Sequence, residues 1–164
     1  DLRRDIKDPR VSFLLGDVRQ LSDLRYAFSN VDYVFHAAAL KQVPSCEFFP
    51  EQALRTNAEG TRNAALAAIE MGVKKFVLLS TDKAVSPINL YGATKLCSDK
   101  LFIAANNIVG SEDIRFSVVR YGNVVGSRGS IVNLFQDLAK KKSSIIPITH
   151  KEMTRFFIIL QQDG

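Results

Sequence analysis

Short apolar runs alternate along the chain with longer segments in which apolar residues recur at helical spacing. The apolar runs predict buried strands at residues 11–15, 31–35, 73–80 and 114–121. The helical spacing predicts helices at residues 21–28, 51–71, 90–109 and 131–142, with Gly72 as the expected stop of the second. Strands of near-continuous Val, Ile, Leu and Phe that alternate with helices are typical of a parallel sheet covered on both faces. The pattern therefore predicts the doubly wound α/β class.

Polar or small residues follow each of the four predicted strands. In chain order these segments read "GD", "HAAALK", "STDK" and "YGNVVGSRGS". Parallel sheets of this class bind ligands beyond the carboxyl ends of their strands. Four such segments at successive strand ends are hard to obtain by accident, so the sequence predicts a nucleotide-type ligand at this edge. We interpret His36 as a strand-end hydrogen-bonding group and not as a base.

The composition limits the class of protein. The chain has 164 residues, of which 46% are hydrophobic and 24% charged, as expected for one globular domain with a real core. It contains no apolar stretch of the roughly 18–20 residues that a membrane span needs. Its N-terminal segment has no signal-peptide core. Cys46 and Cys97 have no metal-like spacing, so we expect two reduced thiols in a cytoplasmic protein and no metal site.

A net charge of +5 and a pI near 9.3 raise the question of nucleic-acid binding. The only dense basic run is at residues 140–142, at the predicted end of a helix, where cations suit the helix dipole. The other basic residues are mixed with acidic ones, and no aromatic residues are interleaved with them. The charge therefore fits an anionic small ligand, and we expect no nucleic-acid partner.

Tyr91 and Lys95 stand at positions i and i+4 of a predicted helix, so their side chains point the same way. A phenol has an ordinary pKa near 10, and a cation close to it stabilises the phenolate and favours proton transfer at working pH. A hydroxyl from Ser80 or Thr81, at the preceding strand end, is placed to hydrogen-bond a sugar oxygen. Such a pair alone is weak, because it occurs by chance on many helices. Its position after a polar strand end in a parallel sheet makes it a candidate active site.

One expected motif is absent from the sequence. No glycine-rich turn joins a first strand to a first helix, and the glycine-rich stretch at residues 125–130 lies far too late in the chain. The chain also has no initiator Met and ends abruptly in "IILQQDG". We therefore expect an interior fragment of a larger protein that lacks the first βαβ unit.

The segments "GDVR", "HAAALKQVP", "STDKA", "NLYGATK" and "RYGNVVGSRGS", in this order, resemble the extended short-chain dehydrogenase/reductase superfamily. More narrowly, they resemble the CapD-like polysaccharide biosynthesis enzymes, and among these the inverting UDP-N-acetylglucosamine 4,6-dehydratases that open the pathway to pseudaminic acid. Related retaining dehydratases typically carry Met where Tyr91 stands, so this residue favours the inverting branch. The resemblance implies a partial Rossmann-like domain over residues 1–164, in which residues 121–164 begin the nucleotide-sugar-binding region.

The resemblance also implies a tightly held NADP, in preference to NAD, that is reduced and reoxidised in each turnover. By position, Tyr91 would take the proton of the 4-hydroxyl as hydride leaves carbon 4 of the sugar. Lys83 would remove the proton on carbon 5 while Asp82 protonates the departing 6-hydroxyl, and hydride would return to carbon 6. Reprotonation of carbon 5 from the other face would invert it. Lys95 would hold the nicotinamide ribose and tune Tyr91, and Thr81 would hydrogen-bond the sugar near carbon 4.

The neighbouring side chains of Asp82 and Lys83 must meet a physical condition for these roles. Side by side, an acid and a base favour each other's charged form. The implied catalysis needs the reverse, a protonated acid and a neutral amine. Burial beneath the substrate and the positive nicotinamide ring near Lys83 are the expected causes of the reversal. The alternative is a surface ion pair worth about 0–1 kcal/mol.

Further contacts follow from the resemblance by position. The implied cofactor contacts are Asp17, Val18, Ala37, Ala38, Ala39, Lys41, Asn57, Tyr91, Lys95, Tyr121, Gly122 and Asn123. The implied substrate contacts are Lys41, Thr81, Lys83, Tyr91, Asn123, Ser127, Arg128, Thr154 and Arg155. Within these sets, Asp17 and Val18 would contact the adenine. Arg128 suits a diphosphate, because a guanidinium can bind one through two parallel hydrogen bonds.

Other functions stay open alongside the dehydratase. A nucleotide-sugar 4-epimerase of the same superfamily would need Tyr91 and Lys95 but no acid–base pair at positions 82 and 83. Another CapD-like 4,6-dehydratase is also compatible, and a sensor that binds NADP(H) without turnover is the non-enzymatic alternative. For the dehydratase, the resemblance implies UDP-N-acetylglucosamine as substrate, a cytoplasmic location and a homo-oligomer at full length.

Overall fold

The computed structural model of this chain describes residues 2–126, 131–141, 145–148 and 150–159. The chain divides into two compact units, Asp1–Val119 and Arg120–Gly164. None of the described helices is both long and apolar enough to cross a membrane.

The first unit alternates helices and strands. In chain order it contains α1 (Leu2–Asp5), α2 (Leu21–Phe28), β1 (Tyr33–His36), α3 (Val43–Phe48), α4 (Pro50–Ala53), a π-helical turn (Leu54–Glu59), α5 (Gly60–Glu70), β2 (Lys75–Leu79), a 3₁₀ turn (Asp82–Ala84), α6 (Leu90–Ala104), a second 3₁₀ turn (Ala105–Asn107) and β3 (Arg115–Val119). The strands form a parallel sheet in the order β1-β2-β3, in which His36 pairs with Leu78 and Leu78 with Val118. A parallel sheet with intervening helices confirms the predicted α/β class.

The core lies on one face of this sheet, where α2, α5 and α6 pack. Phe76 of β2 has no exposed surface and stands at the centre of the core. Its ring meets those of Phe28, Phe102 and Phe116 at centroid distances of 5.7, 4.8 and 5.9 Å. Successive strand residues point to opposite faces, so Phe76, Leu78 and Ser80 share this face. The packing therefore fixes α6 directly over the end of β2.

The opposite face of the sheet is open in the first unit. Tyr33 and Phe35 of β1 are 62% and 74% exposed, and Val119 of β3 is 46% exposed. A parallel sheet normally has both faces covered. Within the described residues, the predicted two-sided cover is thus present on one side only.

Most predicted elements are confirmed with shorter bounds, but one is wrong. The predicted strand at residues 11–15 is irregular, and Leu14 and Leu15 are largely exposed. A strand exists only where a neighbour completes its hydrogen bonds, and among the described strands β1 pairs only with β2. The long helix predicted before Gly72 forms but contains the π-helical turn, and Gly72 ends it with a φ of 72°.

The second unit has a small parallel pair of strands and one helix. These are β4 (Asn123–Val124), α7 (Ile131–Lys140) and β5 (Phe157–Ile158), with Asn123 opposite Phe157. The helix predicted at residues 131–142 is confirmed as far as Lys140. Lys142, the last member of the basic run, lies outside the described residues.

Phe76→Ala is expected to lower the free energy of unfolding by about 3–5 kcal/mol, because it empties the centre of the ring cluster. Tyr26→Ala, on α2 and 73% exposed, is the control and should change it by about 0.5 kcal/mol or less. Urea unfolding followed by circular dichroism measures both. Equal losses in the two variants would contradict the placement of the core.

Candidate active site

The segment after β2 is held in a defined turn. The Ser80 N–H donates to the Val119 carbonyl oxygen at 2.7 Å, which keeps the end of β2 in the sheet. The Thr81 hydroxyl oxygen then accepts from the Lys83 N–H at 3.3 Å and so caps the 3₁₀ turn. Residues 80–83 consequently lie at the carboxyl edge of the sheet, where the sequence predicted a ligand site.

Asp82 and Lys83 form a direct ion pair in this turn. The Lys83 Nζ donates to Asp82 Oδ1 at 3.0 Å, and the Thr81 hydroxyl donates to the same oxygen at 3.0 Å. Burial raises the pKa of Asp82, but the hydrogen bonds from Lys83 and Thr81 outweigh burial and hold the pKa below its ordinary value. The Asp82 carboxyl is therefore ionised at neutral pH. In this structure Asp82 is thus in the charged form that the sequence led us to expect beside a neighbouring base.

Tyr91 lies in the first turn of α6, whose N-terminus is capped twice. The Asn89 side chain accepts from the Gly92 N–H at 2.9 Å. The Glu47 carboxylate of α3 accepts from the Leu90 N–H at 2.7 Å. Free N–H groups at a helix start need such acceptors, and a carboxylate also suits the helix dipole. Both caps fix the turn that carries Tyr91.

Lys95 reaches from α6 to the end of β2. Its Nζ donates to the Leu79 carbonyl oxygen at 2.9 Å, and the residue is only 3% exposed. Burial lowers the pKa of Lys95, and the charge of Asp99 opposes that shift. Lys95 thus ties the Tyr91 helix to the strand that precedes Thr81.

A glycine brings the 3₁₀ turn and α6 into direct contact. A Cβ built on Gly92 would overlap the Lys83 carbonyl oxygen and lie 3.0 Å from the Pro87 Cβ. Backbone can approach backbone this closely only where no side chain intervenes. The structure therefore brings the five predicted catalytic residues to one strand end, two on the helix and three in the turn.

Asn57 is buried and occupied by protein contacts. Its Oδ1 accepts from the Leu40 N–H at 2.8 Å, and its Nδ2 donates to the Leu40 carbonyl oxygen and to the Thr94 Oγ1, each at 3.0 Å. Thr94 in turn donates to the Tyr91 carbonyl oxygen at 2.9 Å. Asn57 has no exposed surface, and its predicted contact with a cofactor stays a prediction.

The π-helical turn completes this network. The wider turn leaves the Asn57 carbonyl oxygen available, and the hydroxyls of Thr61 and Ser98 both donate to it at 2.6 Å. π-helical turns are rare and often lie at functional sites. Here the turn fastens α5 and α6 to each other beside the candidate site.

A shallow cleft of about 380 Å³ lies where the adenine was expected. Its lining residues are Asp17, Arg19, Leu40, Ser45, Phe49, Gln52 and Thr56. The hydrogen bonds from Arg19 hold the pKa of Asp17 at about 2. Val18 packs on Gly60, where an added Cβ would meet its Cγ2 at 2.9 Å. Asp17 thus lines this cleft, whereas Val18 packs on Gly60 and is not among its lining residues.

The segment after β1 is small and accessible. Ala37, Ala38 and Lys41 are exposed and Ala39 is half-buried, as expected where a ligand approaches backbone.

The sequence led us to interpret His36 as a strand-end hydrogen-bonding group, but the structure does not pair its Nε2. This atom is buried and has no hydrogen-bond partner among the described residues. Burial, and then the nearby Lys95, lower the pKa of His36 to about 4, so the ring is neutral at pH 7.

The remaining predicted residues belong to the second unit. Asn123 begins β4, Tyr121 and Gly122 directly precede it, and Thr154 and Arg155 are exposed just before β5. Ser127 and Arg128 lie outside the described residues. The contacts proposed for all seven stay predictions.

Sequence reasoning missed four residues that the structure places around the site. Glu47 and Gly92 act through contacts with segments distant in sequence, and no local pattern signals them. The helical spacing of the sequence could have indicated the other two. Thr94 directly precedes Lys95, and Asp99 follows Lys95 by one helical turn.

The parallel sheet, the strand-end turn and the Tyr91–Lys95 helix define a Rossmann-like α/β protein of the extended short-chain dehydrogenase/reductase class. The sequence profile of the polysaccharide biosynthesis protein family matches residues 1–163. The chain belongs to that family.

Two curated relatives bear different names. The chain is 55% identical over 152 residues to a UDP-N-acetylglucosamine 4,6-dehydratase (inverting) of Campylobacter jejuni subsp. jejuni serotype O:23/36 (strain 81-176), covering 93% of this chain and 45% of the relative. It is 46% identical over 160 residues to a UDP-glucose 4-epimerase of Rickettsia rickettsii (strain Sheila Smith), covering 98% and 47%. The chain spans about half the length of the curated relatives it matches.

Solved structures agree with the fold. Pen from Bacillus thuringiensis matches with a TM-score of 0.91 and 42% identity, over 96% of this chain and 50% of that chain. MoeE5 in complex with UDP-glucose and NAD matches with a TM-score of 0.75 and 26% identity, over 89% and 54%.

Gly92→Ala is expected to reduce the activity of the full-length protein about 100-fold, because a Cβ forces the 3₁₀ turn away from α6 and displaces Lys83 relative to Tyr91. The sequence resemblance implies dehydration of UDP-N-acetylglucosamine, and steady-state assays of that reaction measure the loss. Cys97→Ala, exposed on the same helix, is the control and should leave kcat unchanged. A Gly92→Ala enzyme of normal rate with a higher melting temperature, the usual effect of this change in an unobstructed helix, would contradict the contact.

Proposed function

We propose that the full-length protein is an NADP-dependent UDP-N-acetylglucosamine 4,6-dehydratase that inverts carbon 5. The observation that carries the proposal is the Asp82–Lys83 pair, held by Gly92 against the helix of Tyr91 and Lys95. An oxidation at carbon 4 needs only Tyr91 and Lys95, whereas elimination of water needs an acid and a base beside them. The 55% identity to the inverting Campylobacter dehydratase supports the same choice.

Tyr91 and Lys95 serve the oxidation in this proposal. Tyr91 accepts the proton of the 4-hydroxyl, and the Lys95 charge favours the phenolate that this transfer requires. The Leu79 hydrogen bond holds Lys95 at the strand end. Thr81 hydrogen-bonds the sugar near carbon 4 and so orients the carbon to be oxidised.

Asp82 and Lys83 serve the elimination. Both must change protonation state before they act, and their hydrogen bond offers a direct route. Transfer of one proton from the Lys83 Nζ to Asp82 Oδ1, 3.0 Å apart, yields the neutral amine and the protonated acid together. Desolvation by a bound sugar favours this neutral pair, because it penalises charges. Lys83 then takes the carbon 5 proton, and Asp82 gives its proton to the leaving 6-hydroxyl.

The chain offers fitting partners for a dinucleotide. Accessible alanines follow β1, a cleft opens beside Asp17, and the Ser80 Oγ is buried with no hydrogen-bond partner among the described residues. Lys95 would hold the nicotinamide ribose, and Ala37 to Ala39 would allow close approach. When bound, NADP supplies a hydride acceptor for carbon 4 and a donor for carbon 6. The resemblance to the inverting dehydratases supports NADP over NAD.

A nucleotide-sugar 4-epimerase is the second candidate, because the Rickettsia relative bears that name at 46% identity. It shares the need for Tyr91 and Lys95 but assigns no task to the Asp82–Lys83 pair. A sensor that binds NADP(H) without turnover would be excluded by turnover of the intact protein.

The broader setting follows from the same resemblance. We propose that residues 121–164 begin the nucleotide-sugar-binding region, and that a first βαβ unit outside these 164 residues holds the cofactor pyrophosphate. The open face of the sheet supports this division, since Phe35 and Val119 are exposed there. Synthesis of pseudaminic acid, a cytoplasmic location and a homo-oligomer remain predictions.

Turnover of UDP-N-acetylglucosamine in deuterated water is expected to place one deuterium at carbon 5, because the proton that Lys83 removes is replaced from solvent. Mass spectrometry and proton NMR of the product measure it. A 4-epimerised product without deuterium at carbon 5 would exclude the dehydratase.

Lys83→Ala in the same assay is expected to lower turnover by about 10²–10⁴-fold, the usual contribution of a positioned base. Lys75→Ala, exposed at the start of β2, is the control and should retain full activity. Unchanged activity in Lys83→Ala would show that the assignment of the base is wrong.

The full-length protein is expected to release NADP on denaturation, whereas the 164-residue chain should bind it weakly or not at all. Chromatography of the released nucleotide and calorimetry of the chain measure the two. Release of NAD alone would overturn the choice of cofactor. Micromolar binding by the 164-residue chain would overturn the division of the cofactor site.

A further inference from the structure

The described residues bury two formally charged side chains, and these lie one helical turn apart. Lys95 is 3% exposed and Asp99 is 4% exposed, while the other buried polar residues are neutral at pH 7. A charge taken out of water is costly unless an opposite charge compensates it. The paired occurrence of one buried cation and one buried anion therefore calls for an explanation.

The two side chains share the face of α6 that packs on the sheet. Residues four apart on a helix are neighbours, with Cβ atoms about 5–6 Å from each other. Phe102, three residues after Asp99, meets Phe76 of β2 at 4.8 Å and marks this face as the buried one. On the same side, Lys95 Nζ donates to the Leu79 carbonyl oxygen, which is a neutral acceptor.

Other groups nearby do not replace this compensation. Around the first turns of α6, the titratable groups on the helix and on the elements packed against it include Tyr91, Glu47, Asp82 and Lys83. His36 of β1 is also near enough for the Lys95 charge to lower its pKa. The His36 ring is neutral at pH 7 and lacks a negative charge to offer. The Asp82 carboxylate is engaged by Lys83. The Glu47 carboxylate is exposed and engaged at the helix start.

We propose that Asp99 is the counter-charge that keeps Lys95 in its ammonium form inside the protein. Asp99 is a positioning residue in this role, because it is buried at 4% exposure and acts on the reaction through Lys95. An ammonium at position 95 in turn favours the Tyr91 phenolate. The consequence for the reaction rests on the proposed function, but the effect on Lys95 does not.

The test uses the full-length protein labelled with ¹³C at lysine Cε, with the Lys95 resonance assigned by its loss in Lys95→Met. Asp99→Asn keeps the shape and removes the charge, so the Lys95 titration midpoint should fall by about one to three pH units, as expected for loss of a nearby opposite charge. Ser98→Ala, the neighbouring buried position on the same helix, is the matched control and should leave the midpoint unchanged. Asp99→Glu should restore it in large part.

Activity provides a second readout with a defined sign. A less basic Lys95 loses its charge at a lower pH. In Asp99→Asn, the alkaline limb of the kcat–pH profile should therefore move to lower pH by the same number of units as the Lys95 midpoint. A purely structural role would lower kcat evenly across the pH range. An unchanged Lys95 midpoint in Asp99→Asn, or an equal shift in Ser98→Ala, would overturn the proposal.

Two further outcomes separate this proposal from others. If Asp99→Asn fails to fold, the Asp99→Asn/Lys95→Met double variant should recover melting temperature, because it removes the uncompensated ammonium; no recovery would overturn the proposal. A shifted Lys95 titration in a protein that does not dehydrate UDP-N-acetylglucosamine would support the counter-charge while defeating the proposed function.

Discussion

The packing of α6 over the end of β2 is the constraint on which the candidate site depends. Phe102 meets Phe76 in the core, and about two turns earlier the same helix face presents Lys95 to the Leu79 carbonyl. Hydrophobic packing fixes the distance of α6 from the sheet. The hydrogen bond from the Lys95 Nζ holds the N-terminal part of the helix against the end of β2. Everything proposed for Tyr91 depends on this single placement.

Close backbone contact then joins the turn to the helix. Gly92 lets the Lys83 carbonyl rest against the first turn of α6, and Asn89 and Glu47 hold that turn from two other sides. The Asn57 network adds a connection to Leu40. A site with an acid–base pair and a phenol needs such rigid support, because small displacements of reacting groups cost large factors in rate.

Much of the fold was predictable because buried parallel strands and amphipathic helices leave strong periodic patterns. The runs around Phe76 and Phe116 were recognised as strands for that reason, and Gly72 as a helix stop. The segment at residues 11–15 has the same apolar composition but forms no strand here. Pairing is a property of two segments, and one segment alone cannot reveal it.

By itself, the sequence determined the class of fold, the edge of the sheet where polar residues collect, and the spacing of Tyr91 and Lys95. These follow from local periodicity and from chain order. Only the tertiary structure decided that Asp82 and Lys83 form an ion pair. It also decided that the Asn57 side chain hydrogen-bonds Leu40 and Thr94, and that Asp99 is buried with Lys95. Burial and hydrogen-bond partners depend on segments far apart in the chain, so no local pattern contains them.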